Sequence, residues 1–186
     1  NIASQNGANI INNPNAIKIF NEKIFAMEFV ELMPPTIISA DSTKIEEFLK
    51  IHEEIVIKPL NGMGGDNIHK ISINESESIR KIKDLTENYK TQIIGQKFLS
   101  KINEGDFRIL IIDGTPFDYC LARIPKDGSF LGNLAKGGKG VAKKITSNQR
   151  EIGEKVGARL KTENILFAGI DIIDDKLTEI NITSPT

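Results

Sequence analysis

Asp113-Gly114 separates two apolar runs, FRILII and TPFDYCLARI, with nothing else between them. Both central residues of a two-residue hairpin turn need positive φ, which Asp and Gly tolerate, so this stretch predicts an antiparallel hairpin. LFAGIDII and KLTEINI predict a second antiparallel pair at the end of the chain. Two hairpins of this kind argue against a doubly wound parallel sheet and for an α+β fold.

The first half predicts β-α-β-β-α-β. Pro14 opens a helical pattern through about Leu32, with Ile17, Phe20, Ile24, Met27 and Val30 on one face. Pro34 and Pro35 end it and mark a boundary. TIIS reads as a strand, and Asp41-Ser42 cap a helix over IEEFLKIH. EIVIKP reads as a buried strand, followed by the glycine-rich turn NGMGGDN and the strand IHKIS. A helix of about a dozen residues is expected from Glu75, and then the strand TQIIGQKF. In the second half, the stretch from Pro125 to Gly140 holds Gly128, Gly132, Gly137, Gly138 and Gly140. It is too long for a plain connector and reads as a lid or binding loop. Residues 148–162 read as a helix. The whole divides into a leading helix and linker (1–35), a small lobe (36–97) and a large lobe (98–186).

Lys58 ends a buried strand just ahead of the glycines. Consecutive glycines let backbone N–H groups turn toward one anion, and a lysine adds a point charge. A plain hairpin turn is the other reading. The loop lacks both the Gly-Lys-Ser/Thr of a Walker loop and the Rossmann spacing. Lys23, taken alone, reads as a solvated helix lysine. Glu179 and Asn181 lie two apart, on one face of a strand. Asp171 joins them only in one register: a two-residue turn at Asp174-Asp175 sets it opposite Thr178, and a three-residue turn sets it opposite Glu179. Such oxygen ligands suit a hard divalent cation, and a solvent-facing polar stripe is the alternative. Arg108 and Arg123 flank the first hairpin, opposite Tyr119 and Glu104 if residues 113 and 114 make the turn. Each could fork onto a carboxylate or phosphate, or lie on the surface.

A net charge of −1, from 24 basic and 25 acidic residues, gives no overall attraction to nucleic acid or an anionic membrane. The lone Cys120 excludes an internal disulfide and a cysteine-rich zinc site, and its apolar setting reads as a buried, inert thiol. His52 and His69 read as surface or packing residues. No apolar run reaches membrane-spanning length and the N-terminus lacks a signal-peptide pattern, so the expected location is cytoplasmic.

Several strings, in order, resemble the bacterial glutathione synthetase family of the ATP-grasp superfamily: NEKIFAMEF, IVIKPLNGMGGDNI, GDFRILIIDGTPFDYCLARIP, GNLAKGGKG and FAGIDIIDDKLTEINITSPT. The resemblance runs from about Asn13 to Thr186. It implies two lobes with antiparallel sheets enclosing a nucleotide cleft. It implies ATP held by Lys23 and Lys58, covered by Gly62, Met63, Gly64 and Gly65, with Gln96, Lys97, Phe98 and Leu99 at adenine and Asp106 at ribose. It makes Asp171, Glu179 and Asn181 ligands of Mg²⁺, or of Mn²⁺ in its place. Arg108 and Arg123 become catalytic groups around the γ-phosphate and the reacting carboxylate. Asn133, Ser184, Pro185 and Thr186 become substrate contacts.

The implied reaction joins γ-glutamylcysteine and glycine through an acyl phosphate, releasing ADP and phosphate. The implied full-length enzyme is a homo-oligomer with small-molecule substrates, no nucleic acid and no membrane. Leu131 departs from the family pattern, which has an arginine in the lid. The polar start without Met and the end just after a strand pattern read as an excised piece, expected to bind ATP weakly and not to turn over. The rival readings are another ATP-grasp carboxylate–amine ligase, such as a D-alanine–D-alanine ligase, and a non-catalytic nucleotide-binding module.

Overall fold

The computed structural model describes residues 2–62 and 64–186. A short helix α1 (Ile2–Gln5) precedes α2 (Pro14–Ile19) and α3 (Glu22–Ala26), which runs into a 3₁₀ segment, Met27–Leu32. The single helix expected from Pro14 to Leu32 is thus broken. Phe20 is extended, and the Asn21 side chain accepts from the Lys23 and Ile24 amides to start a new helix. The break rotates the apolar face: Ala16, Phe25, Ala26 and Phe29 are buried, while Ile24 and Val30 are exposed.

The small lobe holds β1 (Thr36–Ser39), α4 (Ser42–His52), β2 (Glu54–Pro59), β3 (His69–Ser72), α5 (Ser78–Leu85) and β4 (Ile93–Lys97). Its strands form an antiparallel sheet in the order β1-β4-β2-β3. Asp41 caps α4 through the Thr43 amide at 2.9 Å. α5 is shorter than expected because residues 74–77 are spent on a turn, in which Ser78 Oγ donates to the Ser72 carbonyl at 2.7 Å. Period-2 alternation sorts β2: Ile55 and Ile57 pack under the helices with Ile45, Leu49 and Ile82, and Val56 and Lys58 face the other way.

The large lobe holds β5 (Asp106–Ile112), β6 (Thr115–Ile124), β7 (Lys139–Lys144), α6 (Ser147–Thr162), β8 (Phe167–Ile173) and β9 (Lys176–Asn181). These strands form an antiparallel sheet in the order β7-β6-β5-β8-β9. α6 starts in a capping box between Thr146 and Gln149. Its Ile152, Val156 and Leu160 share one core with Ile109, Ile170, Ile172, Ile180 and the buried residues of α2 and α3. β7 was not expected. As an exposed, lysine-rich edge strand, KGVAKK lacks the apolar alternation that marks a strand in sequence.

Two irregularities decide which side chains meet. In the first hairpin Asp113 and Gly114 take positive φ (47° and 74°) and Ile112 faces Thr115, as a two-residue turn requires. The register then shifts between Ile109 and Ile111, so Arg108 faces Leu121 and Arg123 faces Asp106, not Tyr119 and Glu104. In the second hairpin Asp174 and Asp175 take positive φ (49° and 57°), and Ile173 faces Lys176. That is the two-residue turn, which alone would set Asp171 opposite Thr178. A bulge between Asp171 and Ile172 lets β9 gain a residue, Thr178, and Asp171 faces Glu179.

Candidate active site

Strand register lays a row of charges across the face of the large sheet that looks away from α6. Directly opposed residues share a face. Arg123 on β6 opposes Asp106 on β5, Arg108 on β5 opposes Asp171 on β8, and Asp171 opposes Glu179 on β9. Asp106 and Arg108, two residues apart, are also neighbours on that face. Both Asp171 oxygens accept from Arg108, one from Nε and the other from Nη2 at 2.9 Å. Arg123 Nη2 bridges Asp171 at 2.9 Å and Asp106 at 2.6 Å. Asn181 Nδ2 donates to Asp171 Oδ2 at 3.3 Å, and Thr178, the residue gained at the bulge, donates to the Asp171 carbonyl at 3.1 Å.

Gly169 makes room for this arrangement. A Cβ there would sit 2.3 Å from the Pro185 carbonyl oxygen and 2.8 Å from Arg108 Cδ. That same carbonyl accepts from Arg108 Nη1 at 2.8 Å.

Facing this row are Lys58 from the small lobe and Lys23 from α3, which packs against the large sheet. Lys58 Nζ, at the end of β2, donates to Glu179 Oε1 at 2.8 Å across the cleft. Lys23 Nζ donates to the Gly62 carbonyl at 3.0 Å and stands 3.8 Å from the same Glu179 oxygen. Both lysines are buried, contrary to the solvated reading of Lys23 from sequence alone. The glycine-rich turn bends with Gly64 and Gly65 at positive φ (68° and 84°). It meets the lid, where Lys136 Nζ pairs with Asp66 at 2.5 Å.

Between the walls lies a cavity of about 330 Å³. Its lining includes Lys23 from α3, Lys58, Gly62, Gly64 and Gly65 from the small lobe, and Asp106, Arg108, Arg123, Asp171, Glu179 and Asn181 from the large sheet. Gln96, Lys97, Phe98 and Leu99 line a further part, as do Asn133, Ser184 and Thr186. Of the expected site residues, Pro185 is buried behind Arg108 rather than in the lining, and Met63 lies outside the described residues. The lining also includes Glu22, Phe130 and Leu131, none of them singled out from sequence as a site residue. For Glu22 the only signal was its place next to Lys23.

Charge and burial bias the protonation states. Burial works against ionisation of Asp171, yet the guanidiniums of Arg108 and Arg123 outweigh it and hold the carboxyl at about 2. Burial, then the charge of Asp171, pushes Asp106 up to about 7 against the pull of Arg123. Among the described residues, Asp106 Oδ1 and Arg123 Nε are buried without a hydrogen-bond partner. Burial, then Glu179, also raises Glu22. Five cationic side chains of the described residues line the cavity with five carboxyls, of which burial pushes Asp106 and Glu22 toward the neutral form. Cys120 plays no part: it is buried against the Lys143 carbonyl at 3.4 Å, and burial raises its thiol.

Two antiparallel sheets gripping a charged cleft are the arrangement of the ATP-grasp fold. The solved ATP-grasp ligase PsnB, in a complex with minimal precursor, Mg and ADP, superposes with a TM-score of 0.69 at 18% identity, covering 97% of this chain and 56% of that one. The family model for the prokaryotic glutathione synthetase ATP-grasp domain matches residues 22–186, and the chain belongs to that family. It is 44% identical to the glutathione synthetase of Pseudomonas aeruginosa over 184 residues, 99% of this chain and 58% of the relative. It is 45% identical to that of Nitrosomonas europaea over 186 residues, 100% of this chain and 58% of the relative. The chain thus spans 58% of the length of these two curated relatives. Among the described residues no helix is long and apolar enough to cross a membrane.

Proposed function

We propose that the protein carrying this chain is an ATP-dependent carbon–nitrogen ligase that joins γ-glutamylcysteine to glycine, with this chain supplying the nucleotide cleft between lobes 36–97 and 98–186. The observation that carries the reading is the Lys58–Glu179 contact, which joins the basic wall to the carboxylate wall in one cleft. The relatives' name, glutathione synthetase, supplies the product; the substrate pair, cytoplasmic location and a homo-oligomeric full-length form follow from the resemblance and go with the same proposal.

The donor set fits a hard divalent cation. Asp171 and Glu179 oppose each other across two strands beside Asn181, and the Lys58 ammonium at 2.8 Å from Glu179 stands in for a cation there. Bound Mg²⁺ would neutralise charge on the phosphate oxygens. Lys23 and Lys58 bind the phosphates as point charges, and the turn at Gly64 and Gly65 covers them with backbone amides. Arg108 and Arg123, held rigid by Asp171 and Asp106, present the cationic edge that orients a carboxylate for phosphoryl transfer. The acyl phosphate then receives the amine of glycine and releases phosphate. Its survival depends on keeping water out, the task of the lid from Ile124 to Gly140. No protein nucleophile is required, so positioning and charge neutralisation carry the catalysis.

The test is phosphate release by the full-length protein with ATP and Mg²⁺. Release that requires γ-glutamylcysteine and glycine together is expected. Release with D-alanine, and none with that pair, would assign a different carboxylate–amine ligase.

A further inference from the structure

The cavity has an aromatic part as well as a charged one. Phe98, just past β4, and Phe130, in the lid, stand edge to face with centroids 6.4 Å apart and planes at 82°. Both line the cavity, along with Leu99, Ile102 and Leu131. Lys70 Nζ sits 3.9 Å over the Phe98 ring, held by Glu54 at 2.7 Å, yet Lys70 is not part of the cavity lining. Phe98 is therefore fixed on one side by a cation from β3 and met from the lid by a second ring. Phe130 itself sits between Gly128 and Gly132, on backbone that can re-aim it at little conformational cost.

Phosphates call for N–H donors and cations, and an apolar lid tip gives them neither. A flat π-system is what an aromatic ring beside Leu99, Ile102 and Leu131 would accept. We propose that Phe130 is a nucleotide-binding residue that closes onto the nucleobase, so that the lid touches the base as well as screening the phosphates. This rests on the nucleotide-binding reading above and adds to it a lid residue that touches the base.

The experiment titrates the full-length protein calorimetrically, in Mg²⁺, with ATP and separately with inorganic tripolyphosphate, which has the phosphates but no base. Phe130→Ala is expected to weaken ATP about tenfold, in line with loss of an aromatic contact, and to leave tripolyphosphate binding unchanged. Phe130→Tyr is expected to restore ATP binding. Far-UV circular dichroism confirms that both variants fold. Unchanged ATP affinity in Phe130→Ala, or equal loss for both ligands, would overturn the proposal while leaving the nucleotide reading intact. Wild-type protein that binds neither ligand would sink the nucleotide reading itself, and this inference with it.

Discussion

The two walls of the cleft hold their charges by different means. On the large sheet each charged group is placed by strand register and locked by buried partners, as Asp171 is by Arg108, Arg123 and Asn181. Between the glycine-rich turn and the lid, contact rests on an exposed pair, Lys136 with Asp66, and on the close approach of Asn133 to Gly65. The charge row is preorganised, because Arg108, Arg123 and Asn181 already hold both oxygens of Asp171. The contact between these two loops is weakly held, unlike the buried Lys23 and Lys58 beside them.

The comparison breaks most visibly at Asp171. Asp171→Ala leaves two buried guanidiniums facing each other without their shared carboxylate, and should destabilise the protein by about 3–5 kcal/mol, read by urea unfolding. A loss under 1 kcal/mol would mean the row is not locked.

A smaller effect comes from pH. The Asp106 carboxyl is raised in the folded state, so the fold binds more protons than the unfolded chain between about pH 4 and pH 7. Its contribution is present at low pH and lost as pH rises through that window. Asp171, lowered, behaves oppositely, and its contribution fades only as pH falls below about 4. Wild-type protein should therefore lose on the order of 2 kcal/mol from Asp106 between pH 5 and pH 7, and Asp106→Asn should flatten that slope. An identical slope in the variant removes Asp106 as the cause.

Smaller again, Glu179→Gln keeps an acceptor for Lys58 but removes the charge. Magnesium-supported ATP binding should weaken about tenfold, measured under conditions where the variant, which leaves Lys23 and Lys58 without their shared charge, is still folded, and unchanged calorimetric affinity rules out the metal role. The least effect belongs to the loop wall: Lys136→Ala should cost under about 1 kcal/mol of stability. Its influence on ATP affinity should fade with added salt.

Legibility in the sequence followed the same divide. Hairpins with Asp-Gly or Asp-Asp turns, buried β2 and the capped helices could be read because turn chemistry and apolar alternation are local signals. The charge row could not, because both of its registers depend on bulges, one near Leu110 and one at Thr178, that change the facing residue without any compositional mark. Arg108, Arg123 and Asp171 were each visible as candidates, yet the pairing of both arginines with that one carboxylate was not. Lys23 was misjudged alone because its burial depends on Asn21 breaking the helix and on Gly62 arriving from the other lobe. β7 escaped because an exposed edge strand needs no apolar face.

The account stands or falls on where a nucleotide sits. A crystal structure of the full-length protein with ATP and Mg²⁺ should place the phosphates between Lys23 and Lys58 on one side and a metal on Asp171, Glu179 and Asn181 on the other. Phosphates bound outside this cleft, or a metal held by other residues, would contradict it.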